Sequence, residues 1–175
     1  DAAFDVLQER TMSGVRMALV AERAGLFQSN IHYYYKSKHE LLLAVQKKVL
    51  RHCIELRRAL GGAEGTLKEQ LEAFWGQKKN FIREEPKYDF WAQSRVDEAM
   101  RAEVCASFQN WRQEIEAMLA RFAGHLSEGK RKMLAAVMVS MMEGASMQYL
   151  LQPDAFDLDE YFAYCTELVL KETGR

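Results

Sequence analysis

The sequence contains few helix-breaking residues, and this scarcity constrains the fold more than any other feature. The 175 residues include only 10 glycines and 2 prolines, while 49% of the residues are hydrophobic. Sandwiches and barrels need many tight turns, so this composition favours long helices. We therefore predict an all-α chain, long enough for one sizeable domain or for a small module joined to a larger one.

Breakers and capping residues divide the chain into nine predicted helices. Ser37 with Glu40, and Thr66 with Glu69, have the spacing of capping boxes and begin the fourth and fifth helices. Pro86 marks a later boundary. In order, the predicted helices span residues 2–11, 17–24, 28–35, 38–60, 66–82, 86–99, 102–123, 128–151 and 158–172.

Two of the short helices lie on either side of Gly25, which can adopt the positive φ of a helix end. The first has one apolar stripe, formed by Met17, Val20, Ala21 and Ala24. A tight turn between two such helices is typical of the helix-turn-helix unit, whose second helix can enter the major groove of DNA. Spacing alone favours this interpretation no more than an ordinary helical hairpin.

Residue identities favour the DNA-binding interpretation. From Val20 the chain reads VAERAGLFQSNIHYYYKSKHELLLAV. This segment resembles the DNA-binding segment of the tetracycline-repressor (TetR) family. Members of that family commonly have an Ile-Ala pair, then Ala-Gly-Val, a short recognition helix containing Tyr, and Ser-Lys-x-x-Leu. The matching positions are Val20-Ala21, Ala24-Gly25-Leu26, Ile31, Tyr34-Tyr35, Ser37-Lys38 and Leu41. The resemblance covers residues 1 to about 50.

This resemblance implies a nine-helix TetR-type architecture with a three-helix, helix-turn-helix DNA-binding domain at residues 1–45. Residues 46–175 would then form a larger helical domain for effector binding and dimerisation. Three positions depart from the family pattern. Phe27 stands at the usual Ser or Thr N-cap, His32 at a frequent Tyr, and Thr11 where Gly usually closes the first helix. These departures leave the operator sequence open.

The resemblance and helix geometry together predict a DNA-binding surface on the third helix. Gln and Asn side chains can bond adenine bidentately, whereas Ser, His and Tyr more often bond phosphate oxygens. The expected contact residues are Gln28, Ser29, Asn30, His32 and Tyr33, with Lys38, Arg16 and Lys36 as phosphate contacts. We expect Ile31 and Tyr35 to belong to the core, while Tyr34 fits either environment. An ordinary solvated surface is the alternative for each polar residue.

Charge is divided between the two ends of the chain. Residues 1–52 have a formal charge of +3, from 8 basic and 5 acidic residues, while residues 53–175 have −4, from 16 basic and 20 acidic residues. A small positive excess is compatible with phosphate contacts and equally with chance.

The resemblance also implies that residues 128–151 and 158–172 pack against their copies in a homodimer, which would match a palindromic operator. The expected interface residues are Val137, Met141, Ala145, Tyr149, Phe162, Cys165 and Val169. Gly144, Ala145 and Ser146 would permit close backbone approach. The alternative is that these apolar faces complete the core of one protomer.

Aromatic residues are dense in the interior helices, where the family binds a small-molecule effector. Such cavities combine apolar walls with a few polar groups. The expected effector residues are Trp75, Lys78, Phe90, Trp91, Arg95, Phe108, Trp111 and Met142, with core packing as the alternative for each. The resemblance implies that the effector favours a state with a tilted fourth helix and a changed separation of the recognition helices.

Two short segments resemble one branch of the family. EGASMQYLLQPDAFDLDEYF is similar to the C-terminal domain of the choline-responsive and pyrimidine-responsive regulators. SNIHYYYKSK is similar to the recognition helix of the pyrimidine-utilisation regulators. Neither segment identifies the effector.

The other function classes have little support. The four histidines lack metal-ligand spacing, and the sequence has neither a phosphate-binding loop nor a nucleophile motif, so we expect no enzyme, metal or cofactor. The three cysteines resemble buried hydrophobes of a reducing cytosol. We find no signal peptide and no apolar run near 18 residues, so we expect a cytoplasmic protein with sequence preceding Asp1. The remaining alternative is a helical interaction or ligand-binding module that does not bind DNA.

Overall fold

The computed structural model describes residues 2–60, 65–84 and 90–174. These residues form nine helices and no strand, which confirms the all-α prediction. The helices are α1 (Ala2–Gly14), α2 (Met17–Arg23), α3 (Gln28–Tyr34), α4 (Lys38–Leu60), α5 (Leu67–Glu84), α6 (Phe90–Ser94), α7 (Glu98–Phe122), α8 (Glu128–Leu151) and α9 (Leu158–Glu172).

The chain divides into two compact units. The first unit comprises Asp1–Cys53 and Pro86–Ala106, and the second comprises Ile54–Glu85 and Ser107–Arg175. Helices α4 and α7 therefore each contribute to both units. The first unit extends beyond residue 45 and includes a segment from the middle of the sequence. The functional division into residues 1–45 and 46–175 stays a prediction.

The core of the first unit anchors α3 through one residue. Ile31 is the buried residue of α3, and Tyr35 packs partly buried against the same cluster, as predicted. Phe90 and Met100 also enter this core. The remaining core residues are Val6, Leu7, Val15, Met17, Val20, Ala21, Leu41, Leu42, Val45 and Val49. Because α3 is anchored on one side only, its other faces stay open to solvent.

The turn between α2 and α3 has the hydrogen bonds of a Schellman motif. Gly25 has φ 66°, which confirms its predicted role at the end of α2. Its amide donates to the Glu22 carbonyl at 3.0 Å, and the Leu26 amide donates to the Ala21 carbonyl at 2.9 Å. These two bonds satisfy carbonyl groups that the helix leaves unpaired. The angle between α2 and α3 is thus set by local backbone bonding.

Helix α1 is kinked at Thr11, which has φ 60° and ψ 171°. L-residues with a Cβ rarely adopt this conformation, whereas glycine adopts it readily. The sequence has threonine where the family pattern has glycine, and the structure places a glycine-type backbone there. Local strain is the physical consequence.

One of the two predicted capping boxes is complete and the other is half formed. The Glu69 amide donates to Thr66 Oγ1 at 3.3 Å, and the Thr66 amide donates to Glu69 Oε2 at 2.7 Å. The Glu40 amide donates to Ser37 Oγ at 3.1 Å. Here the return bond differs, because Glu40 Oε2 accepts from the amide of Lys36 at 2.8 Å. Both boxes begin helices where the sequence predicts them.

The predicted division of residues 86–123 is wrong. The sequence predicts helices over 86–99 and 102–123, whereas α6 ends at Ser94 and α7 begins at Glu98. Asp97 explains the difference, since its Oδ1 accepts the amide of Met100 at 3.0 Å, as an N-cap residue does. Ser94 Oγ also donates to the Phe90 carbonyl at 2.6 Å. The start of the predicted 86–99 helix lies partly outside the described residues.

In the second unit, α5 packs against α8 and α9, which also pack against each other. Trp75 lies at the centre, stacked on Phe162 with 5.1 Å between ring centroids. The Asp157 carboxylate caps α9 by accepting the amides of Asp159 and Glu160. Ser127 Oγ caps α8 by accepting the amide of Lys130. Local caps and one shared aromatic core therefore fix these helices.

Among the described helices, α8 has the length and apolar composition to cross a membrane, with a mean hydropathy of 1.2 in its best window. A single helix of this kind is weak evidence for a membrane span, because core helices of soluble proteins can be equally long and apolar. Leu134, Met138 and Met142 of α8 belong to the core of the second unit. Its apolar character therefore has a packing role.

Candidate functional site

The surface of α3 around its buried residue Ile31 is polar and open to solvent. Gln28, Ser29, Asn30, His32 and Tyr33 are all exposed, so the structure places the five predicted contact residues on the surface of one short helix. Gln28 Nε2 lies 3.2 Å from His32 Nε2, one turn further along. Hydrogen-bonding groups on such a face are available to base edges or phosphates. Their contacts with DNA stay a prediction.

The two predicted phosphate-binding lysines already bond helix ends in the free protein. Lys36 Nζ donates to the Tyr33 carbonyl at 3.2 Å, at the C-terminus of α3. Lys38 Nζ donates to the Ser13 carbonyl at 2.9 Å, near the C-terminus of α1. C-terminal carbonyls lack partners within a helix and attract cations. Arg16, the N-cap residue of α2, is exposed and makes no side-chain capping bond.

Three aromatic side chains stand out on this surface. Phe27 is 82% exposed, Tyr33 is 73% exposed and Tyr34 is 71% exposed. Phe27 is the N-cap residue of α3 and makes no side-chain capping bond, as its lack of a polar group requires. Phe27 departs from the family pattern and is not among the predicted contact residues. The sequence feature that could have identified Phe27 is an apolar residue at an N-cap position, where polar residues are usual.

Helix α4 is tied to α7 inside the first unit. His39 Nε2 lies 2.6 Å from Asp97 Oδ2, and Gln46 Nε2 donates to the Met100 carbonyl at 3.2 Å. The Met100 amide lowers the pKa of the Asp97 carboxyl, and the His39 side chain lowers it further. Asp97 is therefore ionised at neutral pH and can hold both partners. These bonds join the helix that follows α3 to the start of α7.

The second unit contains ion pairs around Trp111. Lys78 Nζ is 5.2 Å from the Trp111 ring centroid and 3.0 Å from Glu143 Oε1. Arg57 Cζ is 5.0 Å from the same centroid, and Arg57 Nε is 2.7 Å from Glu114 Oε2. The Lys78 side chain is 9% exposed and that of Arg57 is 8% exposed. Two buried cations therefore lie over one indole ring.

Several buried polar atoms near this ring lack hydrogen-bond partners among the described residues. They are Arg57 Nη2, Trp111 Nε1, Trp75 Nε1, Asn110 Oδ1 and Glu114 Oε1. Buried donors and acceptors are normally paired, and an unpaired one costs free energy. Three of the five atoms are N–H donors and two are acceptors. Arg57 and Asn110 are not among the predicted effector residues, because the residues around them in the fold are distant in the chain.

The structure divides the predicted effector residues between the units. Trp75, Lys78, Phe108, Trp111 and Met142 lie in the second unit, four of them buried and Phe108 half-buried.

The other three lie in the first unit: Phe90 belongs to its core, Trp91 is 55% exposed, and Arg95 is exposed. The second-unit residues alone share the cluster around Trp111.

A separate open groove of about 500 Å³ lies on the surface of the second unit. It follows α9 and the turn before it. The residues that give it an aromatic and acidic lining are Phe156, Tyr161, Tyr164, Glu160 and Glu167. None of the predicted effector residues lines this groove.

Most of the predicted dimer-interface residues pack inside one protomer. Ala145, Phe162, Cys165 and Val169 belong to the buried core of the second unit, whereas Met141 and Tyr149 are half-buried. Val137 is exposed.

One stripe along α8 faces outward and shares only Val137 with the predicted interface; we call it the α8 stripe. It consists of the exposed residues Met133, Val137, Ser140, Met147 and Leu151, together with the half-buried Gly144. A Cβ added at Gly144 would meet no atom within 4 Å. This face is therefore open within the protomer.

Metal-ligating and thiol side chains are scattered in the described part of the chain. No group of three or more His, Cys, Asp or Glu residues there can hold a metal ion. Burial raises the pKa of the Cys165 thiol, so this sulfur is protonated at neutral pH. The expectation of three buried cysteines is wrong for two of them, since Cys53 is half-buried and Cys105 is exposed. Packing of distant helices decided their exposure.

Solved structures of other proteins share this fold. A TetR transcriptional regulator from Legionella pneumophila has a TM-score of 0.81 and 16% identity, covering 95% of this chain and 92% of the other. FadR from Bacillus subtilis, in complex with stearoyl-CoA, has a TM-score of 0.75 and 16% identity, covering 98% of this chain and 96% of the other. A protein from Saccharomonospora viridis described as a transcriptional regulator, in complex with choline, has a TM-score of 0.80 and 15% identity. That match covers 97% of this chain and 92% of the other.

Family models match both ends of the chain, although a comparison with curated protein sequences finds no match. Residues 1–45 match the model of the bacterial regulatory proteins of the tetR family. Residues 87–173 match the model of the C-terminal domain of BetI-type transcriptional repressors. The two matches follow in chain order and coincide with the helix-turn-helix and the α7–α9 region. The chain therefore belongs to the TetR family, whose members are ligand-responsive, DNA-binding transcriptional regulators.

Proposed function

We propose that the protein binds a palindromic operator as a homodimer, represses transcription there, and leaves the DNA when a small molecule binds the second unit. The observation that carries this proposal is α3, a short helix held by Ile31 with five exposed polar side chains beside a Schellman turn. In a helix-turn-helix this face contacts base edges. The alternative of an interaction module without DNA binding lacks a comparable feature.

Selection of bound duplexes from a random DNA pool tests this function. The full-length protein should enrich a two-fold symmetric site, and Asn30→Ala should relax its base preference because an amide that can bond adenine is lost. Gln113→Ala is the matched control, since Gln113 is an exposed amide on α7 in the second unit. Failure to enrich any duplex at low ionic strength, with and without cell metabolites, would contradict the proposal.

We propose the α8 stripe as part of the dimer interface. Its residues follow one another at alternating spacings of four and three, the pattern by which two helices pack together. Val137→Glu should convert the dimer to monomers, because a charge would be buried at the centre of the contact. Gln113→Glu adds the same charge at an exposed position and should leave the dimer intact. Light scattering after size exclusion measures the mass of each variant.

We place the effector site at the cluster around Trp111. Quaternary ammonium ions bind aromatic faces, but the cations of Arg57 and Lys78 already lie over this ring, each paired with a carboxylate. The unpaired N–H groups of Arg57 and Trp111 instead suit an effector that carries hydrogen-bond acceptors. We therefore expect choline, present in the S. viridis complex, to leave the melting temperature of this protein unchanged. A rise that Trp111→Phe abolishes would contradict this assignment.

Effector binding would reach α3 through the helices that both units share. Helix α4 follows α3 in the chain, and within the first unit it bonds to Asp97 and Met100 at the start of α7. Helices α4 and α7 both continue into the second unit. An effector that favours one arrangement of α4 would thereby change the separation of the two α3 helices in a dimer. This role requires the protein to be in the cytoplasm, where bacterial DNA lies. Proteins of this family are generally not enzymes.

A further inference from the structure

Phe27 occupies an unusual position for a large apolar side chain. It is the residue before α3, with φ −73° and ψ 149°, and it is 82% exposed. Its neighbours are fixed by the backbone, because the Leu26 amide donates to the Ala21 carbonyl at 2.9 Å and the Asn30 amide to the Phe27 carbonyl at 2.9 Å. The main chain is thus held on both sides of Phe27. Its ring projects from a rigid support into solvent.

The benzyl group can make only a restricted set of contacts. It has no hydrogen-bond donor or acceptor, so it bonds neither phosphates nor the polar edges of bases. The apolar group that bases present in the major groove is the 5-methyl of thymine. Residues at the N-terminus of a recognition helix contact base edges, and Phe27 directly precedes Gln28, Ser29 and Asn30. The position and the chemistry therefore indicate the same target.

We propose that Phe27 is a specificity-determining residue that reads thymine in the operator through contact between its ring and the 5-methyl group. The inference rests on the proposed DNA-binding function and adds an apolar contact to the polar ones of α3. A Ser at this position would cap α3, whereas Phe contributes no capping bond in the free protein. Contact with DNA gives the exposed ring a partner that the protomer lacks.

Replacing thymine with uracil isolates the methyl group. Uracil keeps the base-pairing groups and the O4 acceptor, so the substitution removes one methyl and changes no hydrogen bond. The operator is first selected from random duplexes with the native protein. Each thymine is then replaced singly by uracil, and dissociation constants are measured by fluorescence anisotropy at fixed ionic strength. A thymine in the flanking sequence is the DNA control.

For the native protein, uracil at one or two thymine positions should weaken binding by about fourfold per half-site, the effect of removing one methyl from an apolar contact. Phe27→Ser should abolish this difference, because the Ser side chain offers no apolar surface to a methyl group. Phe27→Leu should retain part of it. The salt dependence of binding should be unchanged in both variants, because Phe27 contacts no phosphate.

Several outcomes would overturn the inference. One is a uracil penalty that persists in Phe27→Ser, and another is the absence of a penalty at every operator thymine. A penalty abolished by Tyr33→Ala and retained in Phe27→Ser would assign the contact to Tyr33. If no duplex is enriched at all, both the inference and the proposed function fail. If an operator is enriched but its uracil penalties do not depend on Phe27, the inference fails while the proposed function stands.

Discussion

Replacing Thr11 with glycine should stabilise the protein. Thr11 has φ 60° and ψ 171°, a region that is almost restricted to glycine, and such strain costs about 1–3 kcal/mol. Glycine gains more chain entropy on unfolding, which offsets about 0.4–1 kcal/mol. The hydroxyl contact with Ser13 Oγ at 3.1 Å is exposed and contributes little. The net expectation is a gain in the free energy of unfolding of about 1 kcal/mol.

Urea unfolding followed by circular dichroism measures this change. With a typical slope of about 2 kcal/mol per molar urea, the midpoint should rise by about 0.5 M at unchanged slope. Thr11→Ala is the matched control, because alanine also lacks the hydroxyl but keeps the Cβ that causes the strain. It should show no gain. A Thr11→Gly protein that is less stable than Thr11→Ala would refute the reasoning.

Three further predictions follow from bonds at helix ends. Lys38→Met keeps the aliphatic stem but removes the bond to Ser13, so the free energy of unfolding should fall by about 1 kcal/mol. The salt dependence of DNA binding tests its phosphate role: the slope should fall by about 0.9 per protomer if Lys38 contacts phosphate, and an unchanged slope would exclude that role. Ser127→Ala removes the N-cap bond of α8 and should destabilise the protein by about 1 kcal/mol in urea unfolding, whereas no change would show that the cap is dispensable. Because folding lowers the pKa of Asp97, its contribution is present above the unfolded value near 3.8 and is lost as the pH falls through the folded value. Asp97→Asn should therefore make stability less dependent on pH below about 4, and an unchanged acid profile would contradict this.

Features that depend on near neighbours in the chain could be predicted from the sequence. Capping boxes at Thr66 and Ser37 and the positive φ of Gly25 act over at most a few residues, so spacing and residue type are sufficient to place them. The bounds of α4, α8 and α9 agree with the predicted ranges for this reason. The helix-turn-helix needed more than local spacing, because the resemblance to the TetR family distinguished it from an ordinary helical hairpin.

Contacts between distant residues required the tertiary structure. Lys38 Nζ bonds the carbonyl of Ser13, which is far away in the sequence. Arg57 and Lys78 meet at Trp111, and no periodic pattern brings these three together. The exposure of Phe27 could be suspected from its position, but the fixed backbone around it was visible only in the structure.

Helix α8 shows most clearly where the sequence stops being informative. Its residues are apolar or small on almost every side, so periodicity establishes that it is a helix without showing which side is buried. Leu134, Met138 and Ala145 face the core of the protomer, whereas Met133 and Met147 are exposed. That choice depends on where α5 and α9 pack. Helix formation is a local property of the chain, while burial of one face depends on residues far away in the sequence.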